Sequence, residues 1–164
     1  MSTNNQAIGV FDSGLGGLTV LNALENQFPN ESFIYFGDTA HVPYGSKSDE
    51  TVQNYSNQII HFLLDHNVKL IVIACNTASS VAAHVLQAKF DVPIFGVVTP
   101  SVEQAISYHN GGEIGIIGTQ STIVSNSYVK KFTHLAPHIK TIQQACPLFV
   151  PLIEENWTNT NTAK

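Results

Sequence analysis

The sequence predicts an α/β protein whose parallel sheets are built from βαβ units. Short apolar runs rich in valine and isoleucine alternate with longer stretches of helical composition, a pattern typical of parallel strands joined by crossover helices. The turns that follow the strands starting at Ile8, Ile71 and Ile114 are each rich in Gly, Ser, Thr or Asn. Because ligands of open α/β sheets bind at the carboxyl ends of the strands, we expect function to reside in these turns.

Six strands and five helices are predicted in chain order. Most strands are short runs of apolar, often β-branched residues, and each helix begins at a residue suited to a helix start. The predicted strands cover residues 7–11, 32–36, 70–74, 92–97, 113–118 and 139–144. The predicted helices cover residues 16–27, 49–67, 77–89, 100–108 and 121–132.

The same alternation predicts two lobes. A turn ending in Pro100 follows a strand, and a second series of βα units begins beyond it. Residues 1–98 would form a first lobe, and residues 99–164 would begin a second lobe that is incomplete. Residues 146–153 are strongly apolar and need a packing partner, whereas residues 154–164 are polar and are predicted to be a disordered tail.

Composition excludes several classes of function. The 164 residues carry a net charge of −5, which argues against nucleic-acid binding because that function selects basic surfaces. No apolar run approaches the roughly 20 residues of a membrane span, and the polar start of the chain is not a signal peptide. We therefore expect a cytoplasmic protein with reduced cysteines. The seven basic side chains are all lysines, so an anion would be held by amides and hydroxyls rather than by an arginine fork.

Cys75 is the strongest candidate for a reactive group. It follows the buried strand that ends at residue 74 and precedes a helix whose cap would be Asn76 or Thr77. The start of a helix favours a thiolate over a thiol, so this position predicts a reactive cysteine. The alternative is an inert core residue, because free cysteine is among the most buried residue types.

Asp12 opens a glycine-rich turn between the first strand and the first helix. The turn lacks the third glycine of a dinucleotide-binding fingerprint, because Thr19 stands at that position. The carboxylate beside the turn disfavours phosphate and fits an acceptor for an ammonium group, or a general base. The alternative is that Asp12 or Ser13 only caps the helix.

Two further turns contribute candidate residues. In the long loop after the second strand, Tyr44, Gly45 and Ser46 offer amides and hydroxyls to a carboxylate, and Ser46 with Asp49 resembles a capping box. His41 in the same loop is either an acid/base group or a solvated side chain. After the strand that ends at residue 118, hydroxyl side chains either complete an anion site or cap the next helix. The histidine and cysteine spacings do not predict a metal site.

Four segments together resemble bacterial glutamate racemases in order and spacing. They are DSGLGG at residues 12–17, GDT with PYGS within residues 37–46, ACNTA at residues 74–78 and GIIGT at residues 115–119. The resemblance implies two pseudo-symmetric α/β lobes with a site in the cleft between them. It also implies interconversion of L- and D-glutamate by two thiols without a cofactor, which supplies D-glutamate for peptidoglycan.

The resemblance assigns roles to particular residues. It makes Cys75 one of the two acid/base thiols, and its expected partners are glutamate and, in a homodimer, a second copy of the chain. The substrate-binding residues that it implies are Asp12, Ser13, Tyr44, Gly45, Asn76, Thr77, Thr119 and Thr122.

This chain departs from the racemase pattern at the second thiol. The family carries that thiol in a Cys-Thr-His segment, which does not occur here, and Cys146 matches a position without a catalytic role. His41 stands where the family often has arginine. Two alternatives therefore remain: a half-domain that binds or senses a dicarboxylic amino acid without turnover, and a transferase or hydrolase with Cys75 as nucleophile. The second lacks a Gly-x-Cys-x-Gly elbow.

Overall fold

The computed structural model describes residues 5–157, 159 and 160, and it has the predicted α/β architecture. The strands are β1 (Ile8–Asp12), β2 (Phe33–Gly37), β3 (Leu70–Ile73), β4 (Ile94–Gly96), β5 (Ile114–Gly118) and β6 (Thr141–Ala145). The helices are α1 (Leu18–Gln27), α2 (Asp49–Asp65), α3 (Asn76–Val81), α4 (Ala83–Lys89), α5 (Val98–Tyr108), α6 (Gln120–Ser125), α7 (Ser127–Leu135) and α8 (Phe149–Glu154). A 3₁₀ turn, Tyr44–Ser46, precedes α2.

The strands form two parallel sheets. The larger has the order β2-β1-β3-β4, and the smaller consists of β5 and β6. Asp12 at the end of β1 is paired with Gly37 of β2, and Phe11 is paired with Ile73 of β3. The carboxyl ends of these three strands therefore lie at one edge of the larger sheet. The sheets fall on either side of α5 in the sequence, and the lobe boundary between residues 98 and 99 stays a prediction.

Helices pack on both faces of the larger sheet, as is usual for parallel sheets. Phe11 and Ile73 face the main core with Leu63 of α2, whereas Val10 on the other face packs near Leu24 of α1. The smaller sheet has a core of its own, formed around residues of α5, β5 and α7. The fold thus has separate apolar cores, and the two sheets do not share one.

Two predicted helices are each divided in the structure. The helix predicted over residues 77–89 is α3 and α4, separated at Ala82, whose φ of −116° departs from helical geometry. The helix predicted over residues 121–132 is α6 and α7, separated by Asn126 with a φ of 54°. Asparagine is one of the few residues besides glycine that adopts this left-handed conformation. The helical composition on both sides concealed the break.

The prediction of a disordered tail is wrong for residues 154–157. Glu154 ends α8, an element absent from the sequence prediction, and the Trp157 N–H donates to the Leu152 carbonyl at 2.7 Å. Pro151 is tolerated because it lies in the first turn of α8, where a helix needs no N–H donor. Residues 158 and 161–164 of the predicted tail lie outside the described residues.

The start of α2 also differs from the prediction. Ser48, rather than Ser46, is the N-cap, and its hydroxyl accepts the Thr51 N–H at 3.2 Å. The Tyr44–Ser46 turn occupies the position where the cap was expected. Within the described part of the chain, no helix is both long enough and apolar enough to cross a membrane.

Ser56 places an unpaired hydroxyl in the main core. Its side chain is fully buried in α2, and its Oγ has no hydrogen-bond partner among the described residues. A buried hydroxyl without a partner is destabilising, and alanine has the higher helix propensity. We predict that Ser56→Ala raises the free energy of unfolding by about 1 kcal/mol in urea denaturation.

Ser107→Ala is the matched control for this substitution. The Ser107 hydroxyl is exposed and donates to the Gln104 carbonyl of its own helix at 2.7 Å. The control therefore removes a helical hydroxyl that is already satisfied. A gain for Ser56→Ala no larger than that for Ser107→Ala would contradict the argument.

Candidate active site

A cavity of about 240 Å³ opens where the carboxyl edge of the larger sheet meets α6 and α8. Thr122 lies beside it, in a neighbouring cavity of the same volume. The other predicted site residues line the first cavity: Asp12, Ser13, Tyr44, Gly45, Cys75, Asn76, Thr77 and Thr119. Residues far apart in sequence are thus brought together as the strand-end argument predicted.

Asp12 organises the glycine-rich turn. Its Oδ2 accepts the N–H groups of Gly14 at 3.1 Å and Gly17 at 3.0 Å. A Cβ on Gly17 would lie 2.5 Å from the Asp12 Cβ, so only glycine allows this approach. The prediction that Asp12 or Ser13 caps α1 is wrong, because Gly17 is the N-cap and no side chain caps this helix. The Asp12 carboxylate instead holds the amides of the turn and lines the cavity.

Cys75 is itself the N-cap of α3. Its Sγ accepts the Ala78 N–H at 3.4 Å and lies 3.5 Å from the Ser13 Oγ. The prediction that Asn76 or Thr77 caps this helix is therefore wrong, because the sulfur takes the place usually filled by a hydroxyl or carboxylate oxygen. These contacts fix the thiol at the cavity wall.

The surroundings of Cys75 favour the thiol over the thiolate. Burial raises the pKa of the Cys75 thiol, and the nearby Asp12 carboxylate raises it further. Hydrogen bonds from Ala78 and Ser13 lower the pKa, but these effects are smaller. The helix start does favour the thiolate through the Ala78 N–H, as expected, but burial and Asp12 outweigh this effect and the net shift of the pKa is upward.

Three threonine hydroxyls join α3 to the start of α6 beside the thiol. Thr77 Oγ1 lies 2.9 Å from Thr119 Oγ1, which lies 3.0 Å from Thr122 Oγ1, and Thr122 donates back to Thr77 at 3.4 Å. Thr119 is also the N-cap of α6. In the absence of a ligand these hydroxyls satisfy one another, and each can instead donate to a carboxylate oxygen.

The Tyr44 hydroxyl points to a buried carboxylate. It donates to Asp38 Oδ2 at 2.6 Å, and burial together with this bond raises the pKa of Tyr44. The phenol is thus committed to Asp38, and a ligand at this wall would meet the ring and the turn backbone. A Cβ on Gly45 would lie 2.4 Å from the Thr119 Cβ, so this turn packs directly on the start of α6.

The Asn76 side chain is oriented by a hydrogen bond from α7. Its Oδ1 accepts the Tyr128 hydroxyl of α7 at 2.5 Å. Because the amide oxygen is occupied, the amide NH₂ group remains the donor for a ligand.

Sequence reasoning did not select Asp38, Val150 or Glu154. Asp38 directly follows β2, just as Asp12 ends β1. This similar position at a strand end could have identified Asp38 from the sequence. Its carboxylate also forms a hydrogen bond with His41 Nδ1 at 2.7 Å, so His41 is paired rather than merely solvated.

Val150 and Glu154 line the cavity one helical turn apart on α8. The spacing of four residues between Val150 and Glu154 could have indicated a helix. The sequence was instead interpreted as an apolar segment followed by a polar tail.

The charge of the cavity is negative. The carboxylates of Asp12 and Glu154 line it, and its described lining residues include no lysine or histidine. Cys146 lines the neighbouring cavity, so it does not stand beside Cys75. In the described part of the chain, no group of three or more His, Cys, Asp or Glu side chains is arranged to hold a metal ion.

Comparison with known proteins identifies the family. A profile of the Asp/Glu/Hydantoin racemase family matches residues 8–162. A glutamate racemase of Geobacter metallireducens is 49% identical over 158 residues, which are 96% of this chain and 58% of that protein.

Solved structures show the same relationship. A glutamate racemase isoform of Bacillus anthracis superposes with a TM-score of 0.93 at 38% identity, over 98% of this chain and 60% of that one. The Francisella tularensis glutamate racemase in complex with D-glutamate superposes with a TM-score of 0.88 at 41% identity, again over 98% and 60%. The chain thus spans about 60% of the length of these relatives. It belongs to the Asp/Glu/Hydantoin racemase family.

Proposed function

We propose that this protein acts on glutamate as a cofactor-independent racemase and that its chain supplies the Cys75 half of a two-thiol site. The observation that carries the proposal is the position of the Cys75 sulfur, fixed at the wall of a cavity that also contains a carboxylate and several hydroxyl donors. The D-glutamate complex of the Francisella tularensis relative supports glutamate as the ligand. The biological role would be to supply D-glutamate for peptidoglycan.

The chemistry is a proton transfer at the α-carbon. The Cys75 thiolate would take the α-proton, forming an S–H bond and leaving a carbanion, and a thiol on the opposite face would return a proton to complete inversion. A thiol has a reference pKa of about 8.5, far below that of an α-proton. The site must therefore stabilise the carbanion strongly through hydrogen bonds and charge.

Substrate binding would itself change the charge around the thiol. The α-ammonium group of glutamate would pair with Asp12, whose Oδ2 is already held by the Gly14 and Gly17 amides. Pairing offsets the negative charge that raises the pKa of Cys75. The thiolate would thus become more accessible when the substrate is present.

The substrate carboxylates would be held by neutral donors. The hydroxyls of Thr77, Thr119 and Thr122 and the Asn76 amide supply them, because no basic side chain is among the described residues that line the cavity. Binding of a dicarboxylate in this negatively charged cavity would then depend on the positions of the hydrogen-bond donors rather than on net electrostatic attraction.

A second function is favoured by one observation. Cys146 does not line the cavity of Cys75, so the chain shows one thiol at the site and not two. A half-site of this kind would bind a dicarboxylic amino acid without inverting it. Calorimetric titration with each glutamate enantiomer separates the two functions when it is paired with the exchange measurement below.

Two further parts of the proposal follow from the chemistry. Acid/base catalysis needs a reduced thiol, which favours the cytoplasm as the site of action. Self-association into a homodimer stays a prediction, and sedimentation of the purified chain measures it directly.

We predict that the chain exchanges the α-proton of one glutamate enantiomer for deuterium in D₂O without inverting it. A single thiolate removes the α-proton, the resulting S–H exchanges its proton for a deuteron of the solvent, and the S–D group returns that deuteron to the same face, which retains configuration. Proton NMR follows loss of the α-proton signal, and chiral chromatography follows the enantiomer ratio. Cys75→Ala should reduce the exchange rate by at least about 100-fold, the scale of a lost acid/base group.

Cys146→Ala is the matched control for this experiment, because it removes the other thiol and leaves the cavity lining unchanged. It should exchange at the wild-type rate. Equal exchange in wild type and Cys75→Ala would sink the assignment of this thiol. Heat of binding without any exchange would favour the binding function instead.

We predict that Asp12→Asn lowers the pKa of the Cys75 thiol. The substitution removes the carboxylate charge that disfavours the thiolate, while the amide oxygen still accepts the turn N–H groups. The pH at which iodoacetamide modifies Cys75 half-maximally should fall, and peptide mass spectrometry separates this site from Cys146. Burial remains, so the pKa should stay above that of an exposed thiol.

Ser13→Ala provides the opposite control. The Ser13 hydroxyl lowers the pKa of Cys75, so its removal should shift the alkylation midpoint to higher pH. Shifts of the same sign in both variants would show that turn disruption, rather than charge, dominates.

A further inference from the structure

Ser121 of α6 makes an unusual contact across the lobes. Its Oγ lies 3.0 Å from the Gly45 carbonyl oxygen and 3.1 Å from the Lys47 carbonyl oxygen. A hydroxyl is a donor and a carbonyl oxygen is only an acceptor, so the Ser121 O–H is shared between these two carbonyls. A side chain of the second lobe thus fastens the loop of the first lobe that contains the Tyr44–Ser46 turn.

The fastened turn is a wall of the candidate cavity. Gly45 lines the cavity and packs so closely on Thr119 that there is no space for a Cβ. Thr119 in turn belongs to the ring of three threonine hydroxyls. The position of the turn therefore sets the distance between the turn backbone and those hydroxyls.

Few other hydrogen bonds of the described residues hold the Tyr44–Ser46 turn in place. Within it, the Lys47 N–H donates to the Tyr44 carbonyl at 3.0 Å, and the Tyr44 hydroxyl is anchored on Asp38 at 2.6 Å. Both contacts lie within the first lobe. Among the hydrogen bonds of the described residues, those of Ser121 connect this turn to the second lobe.

We propose that Ser121 is a positioning residue that holds the Tyr44–Ser46 turn at a fixed distance from the threonine ring. At this distance, the turn and the ring both contact the same substrate carboxylate. The inference rests on the proposed function for its substrate. Ser121 does not line the cavity. Its effect on glutamate is transmitted through Gly45 and Thr119.

The test compares wild type, Ser121→Ala and the control Ser107→Ala in the full chain. Hydrogen exchange followed by mass spectrometry reports on the peptide that contains residues 38–48, and calorimetry reports the glutamate dissociation constant. In Ser121→Ala the peptide should exchange faster and the dissociation constant should rise by about 3- to 10-fold, the scale of one hydrogen bond. Ser107→Ala should change neither quantity.

The two readouts keep the inference separate from the proposed function. If wild type binds no glutamate at millimolar concentration, the proposed function fails, and the exchange of residues 38–48 still decides whether Ser121 holds the turn. Unchanged exchange in Ser121→Ala overturns the inference. Faster exchange throughout the protein, or faster local exchange with unchanged glutamate affinity, also overturns it, because the role would then be structural only.

Discussion

The in-register parallel pairing of β1 between β2 and β3 is the constraint on which the rest of the structure depends. It brings Asp12, Asp38 and Cys75 to one edge of the sheet, although they belong to three different strand–turn segments. The Asp12 carboxylate then folds the glycine-rich turn back over this edge through two backbone amides. The candidate cavity exists because strand ends converge there, and the motifs matter because they follow those ends.

The electrostatics of the cavity favour the neutral thiol of Cys75. A buried thiol beside Asp12 and in a cavity that Glu154 also lines is held as the neutral thiol. Since the thiolate is the form that reacts with oxidants and alkylating agents, this arrangement lowers the reactivity of Cys75. An ammonium group beside Asp12 would offset the contribution of that carboxylate to the raised pKa, whereas the larger contribution from burial would remain.

The strands and the convergence of the site could be predicted because both depend on local composition and on one general property of parallel sheets. The sign of the Cys75 pKa shift could not, because it depends on burial and on Asp12, which is distant in sequence. The break at Asn126 was hidden by helix-forming neighbours. Glu154 was missed because its helix consists of an apolar segment joined to the first residue of a polar one. Local patterns predicted the elements well and long-range effects poorly.

The contact between α3 and the start of α6 is polar, and this has a consequence for ligand binding. The larger sheet and the smaller sheet have separate apolar cores, whereas α3 and α6 meet through the hydroxyls of Thr77, Thr119 and Thr122. Separating two apolar surfaces would expose them to water at a large cost in free energy. Exchanging a hydroxyl–hydroxyl bond for a hydroxyl–carboxylate bond preserves the number of hydrogen bonds and strengthens each one. A carboxylate can therefore enter between α3 and α6 without disrupting either core, which makes this junction suited to a ligand site.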